Sequence, residues 1–253
     1  MVTEVVHEAQ EIGYASLEPE FSIILPVSNE IGILGEAVEK ISSLLRNDCF
    51  ELLIAEDNST DGTDVLAATL VHRHNNVRHM HADSRSGRGE ALNDAFRASR
   101  GRILMYMDVD LSTALGHIED VLSKMKKYDI VVGSRLLKKS RVQRSSSRRF
   151  LSLVYNFFVR LFFRSKVHDH QCGFKAFRRD VALELIPQVK ATHWFWDTEL
   201  LIKAQRHNYK VYEVPVNWSE SKRTTKVRFL RDSVKMALQI IGLWWDLNIR
   251  SVG

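Results

Sequence analysis

Short apolar runs alternate with helical segments through the first half of this chain, and this alternation limits the fold more than any other feature. The predicted strands are 21–27, 51–55, 77–82, 102–107 and 129–134, and the predicted helices are 31–45, 64–73, 89–99 and 115–127. Strands that alternate with helices form βαβ units, whose right-handed crossovers produce a mostly parallel sheet. The pattern therefore predicts an α/β domain with helices flanking the sheet.

Polar residues collect where these predicted strands end, in the segments 26–30, 57–59, 108–112 and 134–135. Ligands of open α/β sheets bind beyond the carboxyl ends of the strands, so we expect these segments to share one cleft. The first strand is followed by Ser28-Asn29-Glu30. A glycine-rich fingerprint would stand there in a dinucleotide-binding fold, and no phosphate-binding loop motif occurs either.

The sequence Asp108-Val109-Asp110 directly follows the fourth predicted strand. Successive side chains of an extended backbone point to opposite faces, so both carboxylates should point the same way. Carboxylate oxygens suit Mg²⁺ or Mn²⁺, which would keep coordination positions for a diphosphate. Because Asp-x-Asp is a common sequence, two solvated aspartates in a loop are the alternative interpretation.

The charge of the chain is unevenly distributed. Its 253 residues carry a formal net charge of +5, and the first twenty residues contain five glutamates without lysine or arginine. Removing those five negative charges leaves +10 on residues 21–253, which favours polyanions or anionic surfaces. We expect residues 1–20 to form an accessory arm unlike a signal peptide. Cys49 and Cys172 indicate neither a disulfide framework nor a zinc site.

A basic, serine-rich stretch at 135–149 leads into an aromatic-rich apolar run at 151–163. This arrangement is typical of an amphipathic helix at a membrane surface, although a solvated loop before a core helix is an equal alternative. Nucleic-acid binding ranks lower, because the aromatic residues cluster with aliphatic ones. A second amphipathic helix is predicted at 228–250, and no segment reaches the ~20 apolar residues that span a bilayer.

Two later segments add candidate site residues. The block 171–177 is compact and precedes a short helix, and Asp197 and Glu199 lie near the start of another helix. These two carboxylates either cap that helix or face the cleft. A strand is predicted at 211–216, followed by a polar loop at 217–225.

From about residue 21 to 250 the chain resembles family 2 glycosyltransferases of GT-A fold, and within them the dolichyl-phosphate hexose synthases, in particular the dolichyl-phosphate β-glucosyltransferases. The segments that carry the resemblance are 25–30, 56–63, 108–113, 133–135, 171–177, 196–200 and 213–218. It implies a GT-A domain at 21–226, with the arm at 1–20 and an amphipathic helix at 227–253.

The resemblance implies a nucleotide-sugar donor, UDP-glucose or GDP-mannose, and Mg²⁺ or Mn²⁺ as cofactor. Asp108 and Asp110 would hold the metal, and Asp57 would read the base. Lys222 and Arg223 would close over the diphosphate. The residues expected to contact the nucleotide sugar are Pro26, Val27, Glu30, Asp57, Arg88, Asp108, Lys222 and Arg223.

The implied acceptor is dolichyl or another polyprenyl phosphate, bound by Arg135, Arg148 and Ser152. Phosphate monoesters are already anionic at neutral pH, so a strong general base is unnecessary. Asp197 is therefore interpreted as an orienting group, with a role as base as the lesser alternative. The expected catalytic residues are Asp108, Asp110, Arg135, Arg148 and Asp197.

We thus expect an inverting enzyme that transfers glucose to the lipid phosphate, peripherally attached to the cytoplasmic face of a membrane. Three other functions stay open at this point. The chain could transfer mannose to the same acceptor, glycosylate a hydroxyl of a glycan or lipid, or bind nucleotides at a membrane surface without catalysis.

Overall fold

The computed structural model describes the backbone of residues 2–4, 18–220 and 229–249, and the side chains of residues 18–220 and 235–249. The strands are β1 (Val2–Glu4), β2 (Phe21–Val27), β3 (Phe50–Glu56), β4 (Val77–Ala82), β5 (Ile103–Met107), β6 (Ile130–Ser134), β7 (Arg141–Gln143), β8 (Phe174–Arg178), β9 (Val211–Pro215) and β10 (Asn217–Ser219). The α-helices are α1 (Ile31–Leu44), α2 (Thr63–Arg73), α3 (Arg88–Ala98), α4 (His117–Met125), α5 (Ser146–Phe163), α6 (Arg179–Leu185), α7 (Trp196–Arg206) and α8 (Phe229–Asn248). A short 3-10 helix, Ile186–Gln188, follows α6.

The central sheet has the strand order β1-β4-β3-β2-β5-β8-β6-β9. β1 and β8 run antiparallel to their neighbours, and the other strands are mutually parallel. The predicted α/β class with a mostly parallel sheet is therefore confirmed. Val2–Glu4, within the predicted N-terminal arm, pairs with the edge strand β4.

β8 was not predicted as a strand, because the block 171–177 was interpreted only as a compact segment before a helix. Phe174 and Ala176 pack on one face of the sheet, while Phe177 packs on the other and Lys175 is also fully buried. A strand that is buried on both faces lacks the polar and apolar alternation by which half-buried strands are recognised.

Helices cover both faces of the sheet and create two apolar layers. On one face α1 buries Leu34, Val38 and Ile41, whose spacing places them on one side of the helix. On the other face Phe96 of α3 lies in an aromatic cluster with Tyr106, Phe177 and Trp196, with ring centroids 5.5 to 6.4 Å apart. This cluster packs directly behind the carboxyl end of β5.

The two predicted amphipathic helices are confirmed as α5 and α8, and they pack against each other. The Phe162 and Trp244 rings meet edge to face, with centroids 6.5 Å apart. Val159, Ile240 and Leu243 form a small apolar cluster between these helices and α7. Within the described residues, no helix is both long and apolar enough to cross a bilayer.

We predict that Phe96→Ala lowers the free energy of unfolding by about 3–5 kcal/mol, because it removes a buried ring and leaves a cavity. Phe96 is completely buried, whereas Phe157 on α5 is 60% exposed. Phe157→Ala is the matched control and should change stability by less than about 0.5 kcal/mol. Urea unfolding followed by circular dichroism measures both, and equal losses would contradict the assigned core.

Candidate functional site

A cavity of about 1050 Å³ opens beyond the carboxyl ends of β2, β5 and β6. One end is polar and is lined by Glu30, Arg88, Asp108, Asp110, Ser112, Arg135, Arg144, Arg148, Ser152 and Glu220. The other end is apolar and is lined by residues of α5 and α8, including Leu151, Val154, Tyr155, Phe158, Phe162, Met236, Ile240 and Ile241. Segments 26–30, 108–112 and 134–135 therefore share the expected cleft, whereas none of residues 57–59 lines it, and an apolar extension adjoins it.

Asp108 and Asp110 both reach the wall of this cavity. The Asp108 backbone N–H donates to the Gly173 carbonyl at 3.0 Å, and an added Cβ on Gly173 would lie 2.0 Å from the Asp108 Oδ2 atom. A glycine is thus required to leave room for the carboxylate. Asp110 Oδ1 accepts the Ser112 N–H at 3.0 Å.

These two carboxylates suit a divalent cation. Asp108 Oδ1 accepts a hydrogen bond from Arg88 at 3.0 Å, but among the described residues no hydrogen bond reaches the Oδ2 atom of Asp108 or of Asp110. Partial burial at the cavity wall raises the pKa of Asp108, and the Asp110 charge raises it further, although Arg88 opposes both effects. A hard cation bound by oxygen ligands would offset the repulsion between the two carboxylates.

Arg88, the first residue of α3, connects Asp108 to a buried network of charged and polar groups. Its guanidinium donates to Asp197 Oδ2 at 2.9 Å, and the other carboxylate oxygen accepts hydrogen bonds from Lys175 Nζ at 2.7 Å and from the Tyr106 hydroxyl. Burial opposes ionisation, but Lys175 and Arg88 hold the pKa of Asp197 below its usual range. Asp197 therefore stays ionised, fully hydrogen-bonded and behind the cavity wall.

The residues expected to contact the nucleoside lie at different depths. Pro26 and Glu30 line the cavity, whereas Val27 is buried. The Asp57 carboxylate accepts the backbone N–H groups of Ser86 and Gly87 at 2.7 and 3.0 Å, which fixes the loop that leads into α3. The structure thus gives Asp57 a loop-holding role in addition to any contact with a base.

Arg135 and Arg148 line the cavity and each has a carboxylate partner. Arg135 forms a two-point ion pair with Asp169, through Nε at 2.7 Å and a terminal nitrogen at 2.9 Å. Although burial disfavours ionisation, Arg135 lowers the pKa of Asp169 to about 2. Arg148 donates to Glu220. Ser152 lies one turn further along α5 and also lines the cavity.

Lys222 and Arg223, expected to close over the diphosphate, lie outside the described residues. The residues just before them form β10, which pairs in parallel with β7. The predicted loop at 217–225 therefore begins with a short strand, Asn217–Ser219. β10 places Trp218 on the cavity wall.

Several site residues escaped the sequence analysis. Arg144 and Trp218 face the cavity next to Arg135, and Lys175 contacts Asp197 from the unrecognised strand β8. Arg144 stood in the predicted basic stretch, but nothing in the local sequence separates it from the exposed arginines around it. The missing signal was the pairing of two short strands that are far apart in the chain.

Another cluster could also hold a metal ion. Glu56, His79 and His81 each place one ligand atom within 4.8 Å of the others. His81 Nδ1 and Glu56 Oε2 are 2.6 Å apart, and the buried His79 Nε2 has no hydrogen-bond partner within the described residues. This cluster lies at the ends of β3 and β4, and its residues are different from the Asp108–Asp110 pair.

Comparison with known proteins shows the relationships of the chain. The family described as Glycosyl transferase family 2 matches residues 22–186. Glycosyltransferase AglD of Haloferax volcanii is 43% identical over 237 residues, which cover 91% of this chain and 38% of that protein. The dolichyl-phosphate β-glucosyltransferase of Dictyostelium discoideum is 30% identical over 247 residues, covering 88% of this chain and 76% of that protein.

The fold has a counterpart among solved structures. A crystal structure of glucosyl-3-phosphoglycerate synthase from Mycobacterium tuberculosis, in complex with Mn²⁺, UDP and glucosyl-3-phosphoglycerate, matches with a TM-score of 0.64. Its sequence is 19% identical, and the match covers 90% of this chain and 79% of that chain. Together with the family match, this likeness confirms the resemblance seen in the sequence: the chain is a glycosyltransferase that belongs to glycosyl transferase family 2 and has the GT-A fold.

Proposed function

We propose that this protein transfers glucose from a nucleoside diphosphate sugar to dolichyl or another polyprenyl phosphate, with inversion at the anomeric carbon. The observation that carries the proposal is that one cavity is lined by a carboxylate pair, an arginine cluster and apolar side chains of α5 and α8. A lipid phosphate likewise combines an anionic head with a hydrocarbon tail. The Dictyostelium relative is named for this type of reaction.

The carboxylate end suits the donor. Asp108 and Asp110 would hold Mg²⁺ or Mn²⁺, which when bound acts as a Lewis acid on the leaving diphosphate. Glu30 and Pro26 would contact the nucleoside, together with Val27, Asp57 and Arg88, while Lys222 and Arg223 would cover the diphosphate. The crystallised M. tuberculosis neighbour contains UDP and Mn²⁺, which supports this arrangement.

The arginine cluster suits the acceptor. Arg135, Arg148 and Ser152 would surround the lipid phosphate next to the donor, so that orientation and fixed charge drive the transfer. The acceptor oxygen is already anionic. The lowered pKa of Asp197 supports a role in orienting Arg88 rather than in removing a proton.

The outer surface of α5 and α8 suits a membrane. Large apolar side chains project from these helices while their inner faces line the cavity, and the exposed ones outside the cavity lining include Phe150, Leu153, Phe157, Leu161, Leu238 and Trp245. Exposed apolar surface beside a basic segment is the composition of a peripheral membrane-binding element. We propose that the enzyme lies on the cytoplasmic face, with the apolar channel open to the lipid.

A panel of nucleotide sugars with dolichyl phosphate and Mn²⁺ tests the function. We expect product of the mass of glucosyl dolichyl phosphate, from UDP-glucose in preference to GDP-mannose. Free dolichol is the control acceptor and should give no product, because it lacks the anion that the arginines bind. Mannosyl product, or equal transfer to the free hydroxyl, would contradict the proposed reaction.

We predict that Asp110→Ala lowers kcat by roughly 10³-fold, because a metal Lewis acid contributes several kcal/mol at the transition state. His79→Gln, in the separate Glu56–His79–His81 cluster, is the matched control and should keep both the rate and the Mn²⁺ dependence. Initial rates over a Mn²⁺ titration measure both. A metal dependence that disappears with His79→Gln and survives Asp110→Ala would place the metal in the other cluster.

The membrane role predicts that Phe157→Ser with Leu161→Ser weakens binding to phospholipid vesicles at least about tenfold, since two exposed apolar side chains no longer enter the lipid. Val65→Ser is the control, because Val65 is 66% exposed but lies on α2. Vesicle sedimentation measures binding. If both variants sediment like the unchanged protein, the α5 surface does not contact the membrane.

A further inference from the structure

Among the described residues, Arg144 has no carboxylate partner, in contrast to the two arginines beside it. Arg135 is paired with Asp169, and Arg148 is paired with Glu220. Within residues 18–220 and 235–249 Arg144 forms no ion pair, and its buried Nε atom lacks a hydrogen-bond acceptor. Of these three neighbouring arginines, only Arg144 therefore lacks an ion-pair partner among the described residues.

The surroundings of Arg144 make this charge costly. Burial lowers its pKa to about 10 and the charges of Arg135 and Arg148 add to the lowering, while the charges of Asp169 and Glu220 partly oppose it. A partly buried cation without an anionic partner is unfavourable, so binding of an anion beside Arg144 would lower the free energy. An anion that enters the polar end of the cavity would find at Arg144 a guanidinium group without an ion-pair partner among the described residues.

The fold holds Arg144 in place without neutralising it. Its Cζ atom lies 5.4 Å from the ring centroid of Trp218, and the Arg135 Cζ atom lies 5.6 Å from the same centroid. Trp218 pairs with Val142 across the β7–β10 ribbon, and β7 ends at Gln143, immediately before Arg144. Cation–π contact orients a guanidinium while leaving its N–H donors available.

We propose that Arg144 is the principal ligand of the acceptor phosphate and that Arg135 and Arg148 chiefly orient that phosphate. This inference rests on the proposed function, and it reassigns the main acceptor contact to a residue that the sequence analysis did not select. The guanidinium fork binds two phosphate oxygens at once, which Lys cannot do.

The charge of the lipid phosphate changes during the reaction, and this change affects its attraction to Arg144. Transfer forms a bond between an acceptor phosphate oxygen and the anomeric carbon, and it breaks the bond from that carbon to the diphosphate, which leaves with the bonding electrons. The acceptor is a monoester of charge near −2, whereas the product is a diester of charge −1. The attraction to Arg144 therefore weakens on turnover, which favours release of the product.

Two measurements on Arg144→Gln and Arg144→Lys test this assignment. The first is binding of a short-chain isoprenyl phosphate and of its phosphate methyl ester, without any donor. The unchanged protein should bind the monoester more tightly, and Arg144→Gln should lose about 10- to 100-fold in monoester affinity and most of that preference. The monoester affinity of Arg144→Lys should lie between those of the unchanged protein and Arg144→Gln, because lysine keeps the charge but not the two-point geometry of the guanidinium.

The second measurement is transfer kinetics, in which Arg144→Gln should raise the KM for polyprenyl phosphate and leave the KM for the nucleotide sugar unchanged. Arg141→Gln is the matched control, since Arg141 is an exposed arginine on β7 and should change neither value. Unchanged monoester affinity in both Arg144 variants would overturn the assignment. If the unchanged protein transfers no sugar to polyprenyl phosphate while Arg144→Gln still loses monoester binding, the proposed function fails and the Arg144 site stands.

Discussion

The salt bridges of Arg88 hold together the end of the site that contains Asp108. One guanidinium joins Asp108, which follows β5, to Asp197 at the start of α7. Lys175 and Tyr106 supply the remaining hydrogen bonds of the Asp197 carboxylate from beneath. Buried charges are tolerated only when they are paired and hydrogen-bonded, so each member of this network requires the others. Through this network, the position of Asp108 depends on α3, α7 and β8, which carry Arg88, Asp197 and Lys175.

The polarity of the cavity changes along its length because different elements build its two ends. The carboxyl ends of parallel strands bring together the acidic and basic groups, as they do in other open α/β sheets. The apolar end is built by α5 and α8, whose inner faces line the channel and whose outer faces expose large apolar side chains. One pair of helices thus provides both the proposed lipid channel and the proposed membrane contact.

The site was predictable from the sequence where local pattern controls geometry. Asp108 and Asp110 follow a strand, and both lie on the cavity wall beyond the strand ends. The local sequence is compatible with either a capping role or a cleft role for Asp197. The structure places it behind Arg88, a partner 109 residues away in the chain, which no local spacing indicates.

The sequence by itself determined the alternation of strands and helices, the mostly parallel sheet and the two amphipathic helices, because each depends on periodicity among near neighbours. Only the tertiary structure decided that β8 inserts antiparallel between β5 and β6 and carries Lys175 beneath the site. It also decided that the β7–β10 ribbon sets Arg144 against Trp218. These contacts join segments that are distant in sequence, and strand order and strand pairing are properties of the assembled sheet that local periodicity does not specify.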